Sequence, residues 1–384
     1  MKVWIIGRDY PRAENNRLGS FELEQAKILA RAGLEVTYLV ADPRSFIKWR
    51  RFGCSKAMEE GVTVATISVP AGGLISPRKI SPLRRRMFER LMRYLARKDG
   101  LPDIIHVHYP STFLYRLLQP YQKQGVRIAA TEHWSRVQEK SIGGWVLENL
   151  REYTQKADVF CCVGSALVKS VREMTGTERE IPVIPNVLFG DFSPLAEEHE
   201  GFHFLAIGRM VAIKRYDVLV EAFLEAFRDR PDVTLTIAGN GPEMARVREI
   251  VRQKDEKRQV LLPGLVPHEK MAGLIASSDA FVGFSVLETF CVPVVEAWAC
   301  GKPVIVSDTT TVFTDNPDAR LGMAVDWRSP QELQEAMIKM ADTYEMYDPE
   351  WICRYADSHF TEKVYCEKML AVYRGMLGVT GRAQ

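Results

Sequence analysis

The chain lacks any Cys-x-x-Cys pair. Its seven cysteines (54, 161, 162, 291, 300, 353 and 366) show no metal-ligand spacing, so neither a zinc module nor a dithiol centre is implied. An odd number of thiols argues against a fully paired disulfide framework and fits a reduced cytoplasm. No apolar run approaches the roughly 18 residues of a membrane-crossing helix. The opening Met1–Gly7 reads as a first strand, not as a leader. After that strand comes Gly7-Arg8-Asp9 and no Gly-x-Gly-x-x-Gly, which argues against a dehydrogenase. A net charge of only +2 gives no general affinity for polyanions, and no RNA- or DNA-binding motif is present, so nucleic acid is not an expected partner. Low-complexity tracts and short-period repeats are absent too.

What is present is ordinary in bulk and informative in order. With 384 residues, 46% hydrophobic and 26% charged, the chain is longer than one core usually supports, so two domains are expected. Short β-branched runs at Val3–Ile6, Glu35–Val40, Val62–Val69, Ile104–Val107, Ile128–Thr131 and Val159–Val163 read as strands. Helical patterns at Ser20–Ala32, Pro82–Lys98, Ser111–Lys123, Trp145–Gln155 and Ser165–Met174 lie between several of them. A Pro/Asn/Gly-rich passage, Ile181 to Gly201, ends in the acidic Glu197-Glu198-His199-Glu200 and reads as a hinge. The rhythm then restarts with strands Phe202–Ile207, Val233–Ala238, Val260–Leu262 and Val304–Ser307 and another near Phe281. Helices Tyr216–Phe227, Pro242–Gln253 and Lys270–Ala276 and one from Val292 alternate with them. The implied fold class is α/β, with two doubly wound Rossmann-like domains facing a cleft: residues 1–190, residues 191–360, and a C-terminal helix, 361–384, packing back on the first.

The segment Ser285 to Ile305 carries most of the chemistry. An apolar strand, Asp279 to Phe284, leads into a loop with Glu288 and then a helix whose first turn holds Pro293, where a missing amide costs little. The free amides of Phe290, Cys291 and Val292 would sit at the helix N-terminus, a setting that attracts phosphate oxygens. Glu296 follows one turn later. Carboxylates framing an anion site suit a nucleotide-sugar, whose hydroxyls donate to them. The bland alternative is a strand–loop–helix unit with two solvated glutamates. Upstream, a strand ends in Gly208-Arg209 with Lys214 five residues on, a pair able to clamp a diphosphate. Leu235 to Glu243 is another strand with a tight Gly239-Asn240-Gly241-Pro242 turn, where glycines permit close backbone approach.

In combination these motifs resemble the large retaining glycosyltransferase family with the GT-B fold (group 1, or family 4, type). They are Gly208-Arg209-x4-Lys214, the glycine turn, Ser285-x2-Glu288, and Glu288-x7-Glu296-Ala297-x-Ala299-Cys300-Gly301-x-Pro303-Val304. Leu18-Gly19-Ser20-Phe21 is similar to the family's glycine loop, Thr131-Glu132-His133-Trp134 to its cleft histidine segment, and Val183–Val187 to the segment before its hinge. The resemblance implies an N-terminal acceptor domain and a C-terminal nucleotide-sugar domain. It also implies transfer with retention from a nucleotide-diphospho-sugar donor, with no cofactor and no metal. It assigns catalytic roles to His133 and Glu288. Diphosphate contact falls to Arg209, Lys214, Gly19, Phe290, Cys291 and Val292, and nucleoside contact to Glu296, Gly239, Gly241 and Val266. The chain departs from the family where Thr289 and Cys291 stand for glycines in Glu-Gly-Phe-Gly, where Leu18 stands for the first of two glycines, and where Arg215 follows the lysine. None of these departures removes a charge.

Departure of the diphosphate builds negative charge on the phosphate side, which preorganised cations and amides stabilise. His133 would position the sugar or support its charge; its alternative role is that of a satisfied histidine at a strand end. His106 and His108 read as a half-exposed strand end with no third ligand near for a metal. For the acceptor, Arg78 to Lys98 holds nine basic residues against one acid, Glu89. Met87, Phe88, Leu91, Met92 and Leu95 fall on one helical face, and Arg86, Arg90, Arg93 and Arg97 on the other. Arg44 to Phe52, with Phe46, Lys48 and Trp49, adds aromatic-basic character. The basic face is either solvated or a dock for an anionic membrane surface or lipid-linked acceptor. The expectation is therefore a cytoplasmic transferase, peripheral on the inner membrane face, that extends a glycan or lipid-linked glycan. A nucleotide-sugar epimerase and a catalytically silent nucleotide-sugar-binding protein are the alternatives.

Overall fold

The computed structural model describes residues 1–12, 18–45, 47, 50–71, 77–190, 192 and 199–378, and only the backbone of 77–81. Phe46, Lys48, Trp49, Glu197, Glu198 and the side chains of Arg78 and Lys79 lie outside the described residues. Contacts divide the chain into two units, one of 1–163, 167–184 and 365–384, the other of 164–166 and 185–364.

The first unit is built on a seven-stranded sheet. Its strands are β1 (Lys2–Ile6), β2 (Glu35–Asp42), β3 (Gly53–Glu59), β4 (Val62–Ser68), β5 (Ile104–His108), β6 (Arg127–Glu132) and β7 (Val159–Cys162). The order is β3-β4-β2-β1-β5-β6-β7, with every pair parallel except β3–β4. Val3, Trp4, Ile5 and Ile6 of the central β1 are all buried, as a strand covered on both faces requires. The chain leaves β1 toward β2 on one side and β5 on the other, so the loops after β1 and β5 open side by side.

The second unit has six parallel strands: β8 (Phe202–Ile207), β9 (Val233–Ala238), β10 (Val260–Gly264), β11 (Ala280–Gly283), β12 (Val304–Ser307) and β13 (Gly322–Val325). Their order, β10-β9-β8-β11-β12-β13, puts the direction change between β8 and β11. Its core joins Phe204, Leu219, Phe223, Phe227, Leu235, Ile237 and Met337.

Four expectations need correction. Ser111–Lys123 is not one helix but three short turns, Pro110–Thr112, Tyr115–Leu117 and Gln119–Gln122. The buried Asn149 side chain competes for that backbone. It donates to the Pro110 and Phe113 carbonyls at 2.8 and 2.9 Å and accepts from the Tyr115 amide at 2.9 Å. His106 and His108 are not half-exposed: both are buried, because β5 is flanked by β1 and β6. The antiparallel β3 has no counterpart among the expected strands, since its Cys54-Ser55-Lys56 stretch is an edge strand with little apolar pattern. The basic helix runs Pro77–Asp99, starting five residues before Pro82.

Candidate functional site

In the second unit, the loop after β8 carries Arg209, which is exposed, and turns through a 3-10 stretch, Ala212–Lys214. The Lys214 ammonium donates to Glu288 Oε1 in the loop after β11, and the Ser285 hydroxyl donates to the same oxygen at 2.8 Å. The two loops are tied by the Val286 amide donating to the Ile213 carbonyl at 2.8 Å. Thr311 Oγ1 donates to the Glu288 carbonyl at 2.7 Å and fixes the backbone under the carboxylate. Burial alone would lower the Lys214 pKa, but the Glu288 carboxylate beside it outweighs this and holds the ammonium charged.

Arg215 takes a left-handed conformation, φ 51°, where glycine would be easier. Its guanidinium lies 4.8 Å from the Phe284 ring and 5.6 Å from that of Trp327, and it donates to the Trp327 carbonyl. These contacts offset the strain of the turn. Cys291, φ 81°, is likewise left-handed and starts the helix Val292–Ala299, with Pro293 in its first turn. Burial pushes the Cys291 thiol up to about 12, so it is a neutral packing group. Phe290 is buried with its ring centroid 6.0 Å from that of Phe360. One turn into the helix, Glu296 is 7% exposed, and burial raises its carboxyl to about 7.

Gly239 and Gly241 have a structural duty. A Cβ at 239 would lie 1.8 Å from the Gly208 carbonyl oxygen, and one at 241 only 2.2 Å from that of Met210. The loops after β8 and β9 therefore pack backbone on backbone, with the Met210 amide donating to the Asn240 carbonyl at 2.9 Å. Val266 is half-buried in the loop after β10.

In the first unit, His133 follows β6 and is 8% exposed. His108 Nδ1 lies 3.0 Å from His133 Nε2, and the buried His106 bonds Tyr373 Oη at 2.7 Å and Thr131 Oγ1 at 2.8 Å. Burial holds both His106 and His108 well below the ordinary histidine pKa, so both stay neutral. On its other face His133 stacks on Tyr109, centroids 4.9 Å apart, and Arg8 lies 4.0 Å over that ring. Arg8 is paired with the buried Glu22 at 2.8 Å. Glu132 accepts from the His133 and Trp134 amides, both at 3.0 Å, and so sets the bend that presents the imidazole. Gly19 (φ 93°) caps the helix Ser20–Arg31, where a Cβ would meet the Asp9 carbonyl oxygen at 2.0 Å.

The expected residues thus fall into two sets. Lys214 and Glu288 touch, with Arg209, Cys291 and Glu296 on the same two loops and the helix they feed, while His133 and Gly19 belong to the other unit. The supporting groups Arg8, Tyr109 and His108 lie outside the site expected from the motifs, whereas Glu132 stands in the quoted Thr131-Glu132-His133-Trp134 segment. The alternating His106-Val107-His108 is the one signal in the sequence that could have marked them.

Arg86, Arg90, Arg93 and Arg97 are all exposed on the helix Pro77–Asp99, whose Met87, Phe88, Leu91, Met92 and Leu95 are buried. The four arginines line an open groove of about 840 Å³. Among the described residues no helix is long and apolar enough to cross a membrane.

Two Rossmann-like α/β units with a lysine–glutamate pair at the switch point define a GT-B architecture. Residues 191–348 match the glycosyl transferases group 1 model, and residues 21–188 match glycosyltransferase family 4. The chain belongs to the group 1 family of glycosyltransferases. It is 23% identical over 266 residues to a phosphatidylinositol N-acetylglucosaminyltransferase subunit of Arabidopsis thaliana, covering 68% of this chain and 59% of that one. It is 26% identical over 226 residues to N-acetyl-alpha-D-glucosaminyl L-malate synthase of Bacillus anthracis, covering 56% and 58%. The chain thus spans under three fifths of the length of these relatives. Sucrose-phosphate synthase of Thermosynechococcus elongatus superposes with a TM-score of 0.75 at 18% identity, covering 99% of this chain and all of that one, which shows the shared fold.

Proposed function

We propose that the protein transfers a sugar, with retention and without a metal, from a nucleotide-diphospho-sugar to a hydroxyl acceptor in glycan or lipid-linked glycan synthesis. The observation that carries this reading is the Lys214–Glu288–Ser285 arrangement beside the start of the helix Val292–Ala299. Lys214 and Arg209 supply cations and the helix supplies amides for the leaving diphosphate. Glu288 accepts from sugar hydroxyls and Glu296 from the ribose. Retention of the glycosidase kind needs a free carboxylate nucleophile about 5 Å from a second carboxyl. Glu288 is instead held by Lys214 and Ser285. That favours a route in which the departing phosphate takes the acceptor proton on the face it leaves.

The names of both relatives contain N-acetylglucosaminyl, which makes UDP-N-acetylglucosamine the first donor to test. Those names also carry phosphatidylinositol and L-malate, hydroxyl compounds that bear an anionic group. The exposed arginine row of the helix Pro77–Asp99 suits an anionic inner membrane surface next to a lipid-linked acceptor. The test is incubation with UDP-N-acetylglucosamine, UDP-glucose and GDP-mannose in excess chelator, with the product anomer read by NMR. Slow donor cleavage that persists in chelator, with the donor anomer kept, is expected. Cleavage that appears only with added manganese or magnesium, or an inverted product, overturns the reading.

A further inference from the structure

The Lys214–Glu288 pair closes a ring of contacts that runs through four loops of the second unit. The residue after Lys214 is Arg215, whose guanidinium donates to the Trp327 carbonyl in the loop after β13. The Trp327 amide in turn donates to Asp308 Oδ1 at 3.4 Å, in the loop after β12. Beside Asp308, the Thr309 carbonyl accepts from the Glu288 amide at 3.3 Å. The Glu288 carboxylate then returns to the Lys214 ammonium. The loops after β8, β13, β12 and β11 are thereby joined end to end, and Arg215 is the link that closes the ring.

A second path from Arg215 reaches the same carboxylate. Its guanidinium lies 4.8 Å from the Phe284 ring. Phe284 immediately precedes Ser285, whose hydroxyl donates to Glu288 Oε1 at 2.8 Å. Lys214 and Ser285, the two donors to that oxygen, are thus sequence neighbours of the two residues that this contact brings together. The Arg215 carbonyl accepts from the Leu219 amide at 3.0 Å, so its backbone is fixed to the helix Tyr216–Ala226 while its side chain is fixed to the sheet's far loops.

The left-handed backbone of Arg215, φ 51°, makes glycine the less strained choice at this turn. Such strain persists only where the surroundings over-determine it. Glycine would make the turn, yet it could not join the loops. A lysine whose neighbours are held in this way has less conformational freedom to lose when an anion arrives, and so binds it more tightly.

We propose that Arg215 is a positioning residue that holds the Lys214 ammonium and the Glu288 carboxylate in the geometry a nucleoside diphosphate meets, and that it acts on the ligand through Lys214. The proposal rests on the transferase reading, which assigns the diphosphate to Lys214.

The test is a double-mutant cycle on the full chain, read by isothermal titration of UDP beside thermal melts. Arg215→Gly and Arg215→Ala should each bind UDP at least about fivefold more weakly than the parent. Arg215→Gly should nevertheless melt above Arg215→Ala, because only glycine is at ease at φ 51°. In a Lys214→Ala background neither substitution should cost further affinity, since the group through which Arg215 acts is gone. If neither truncation folds, Arg215→Lys, which keeps the charge and loses the planar fork, should weaken UDP binding alone and add nothing in Lys214→Ala.

Parent-level affinity in Arg215→Gly overturns the proposal, as does affinity that follows the melting temperature, high with glycine and low with alanine. A loss that persists undiminished in the Lys214→Ala background overturns it too, because Arg215 would then act on the ligand by its own charge. Donor cleavage separates the two readings. Cleavage by the parent together with any of these results refutes the role of Arg215 alone. The expected cycle without cleavage of any donor refutes the transferase reading alone, and a parent that binds neither UDP nor GDP refutes both.

Discussion

His108 Nδ1 and His133 Nε2 lie 3.0 Å apart, so one imidazole donates to the other and the tautomer of the buried partner sets that of His133. His108→Leu should cut donor cleavage about tenfold, a typical share for a group that orients an acid–base or positioning residue. His108→Asn, whose amide reaches the Nδ1 position, should restore most of it. Equal losses in both variants would mean that His108 only packs. The buried His106 and His108 also set a pH slope. With folded pKa values below the ordinary 6.5, the unfolded state binds more protons below about pH 6.5. Stability of the first unit should therefore fall as the solution is acidified through that range, and less so in His108→Asn.

Removing Lys214 and removing Arg209 should differ. On the proposed reading each deletes a charge-assisted contact to the diphosphate, which should cost about 1.5–3 kcal/mol of UDP binding. Lys214→Ala also takes the cation away from the mostly buried Glu288 carboxylate, so its melting temperature should drop, whereas removing the exposed Arg209 leaves no buried charge without its cation. Thermal melts beside UDP titrations separate the two. Equal melting temperatures for both variants would contradict the ion pair.

Glu296 gives a pH dependence of opposite sign. Its folded carboxyl titrates near 7 against 4.5 for the free group, so the folded state holds more protons between those values. Stability of the second unit should fall as pH rises through that window, and Glu296→Gln should flatten it. Ribose hydroxyls donating to the carboxylate favour its ionised form. UDP affinity should therefore rise about tenfold from pH 6 to pH 8 in the parent and much less in Glu296→Gln. A matching rise in the variant would assign the dependence to the ligand phosphate alone.

For the basic helix, Arg86, Arg90, Arg93 and Arg97 changed together to Gln should abolish binding to anionic vesicles while the circular dichroism melt stays near the parent's. Binding by the parent should fall steeply with salt, since exposed charges are screened over about 8–10 Å. Vesicle flotation of the quadruple variant at the parent's level would leave the helix as a solvated face.

Much of this is legible in the chain. The β-branched runs separated by helical periodicity announce two sheets dominated by parallel strands, with Arg209, Lys214 and Glu288 in the loops that follow β8 and β11 and Glu296 on the helix the second loop feeds, where such sheets bind ligands. The His106–His108 ladder is not legible, because burial depends on β1 and β6 flanking β5, a fact of strand order and not of local pattern. The 110–117 turns escape for a similar reason. Their helical pattern is overridden by Asn149, more than thirty residues further along. At Gly239 the close approach of the Gly208 carbonyl already excludes a side chain, a requirement of loop packing that the motif does not reveal.

The central claim is that the loops after β8 and β11 hold a nucleoside diphosphate on Lys214. Isothermal titration of UDP into the parent and into Lys214→Ala tests it most directly. One-site binding by the parent, weakened at least about tenfold in a variant that still folds, is the expected result. No binding by the parent to UDP or GDP, or the same affinity in both proteins, would contradict it.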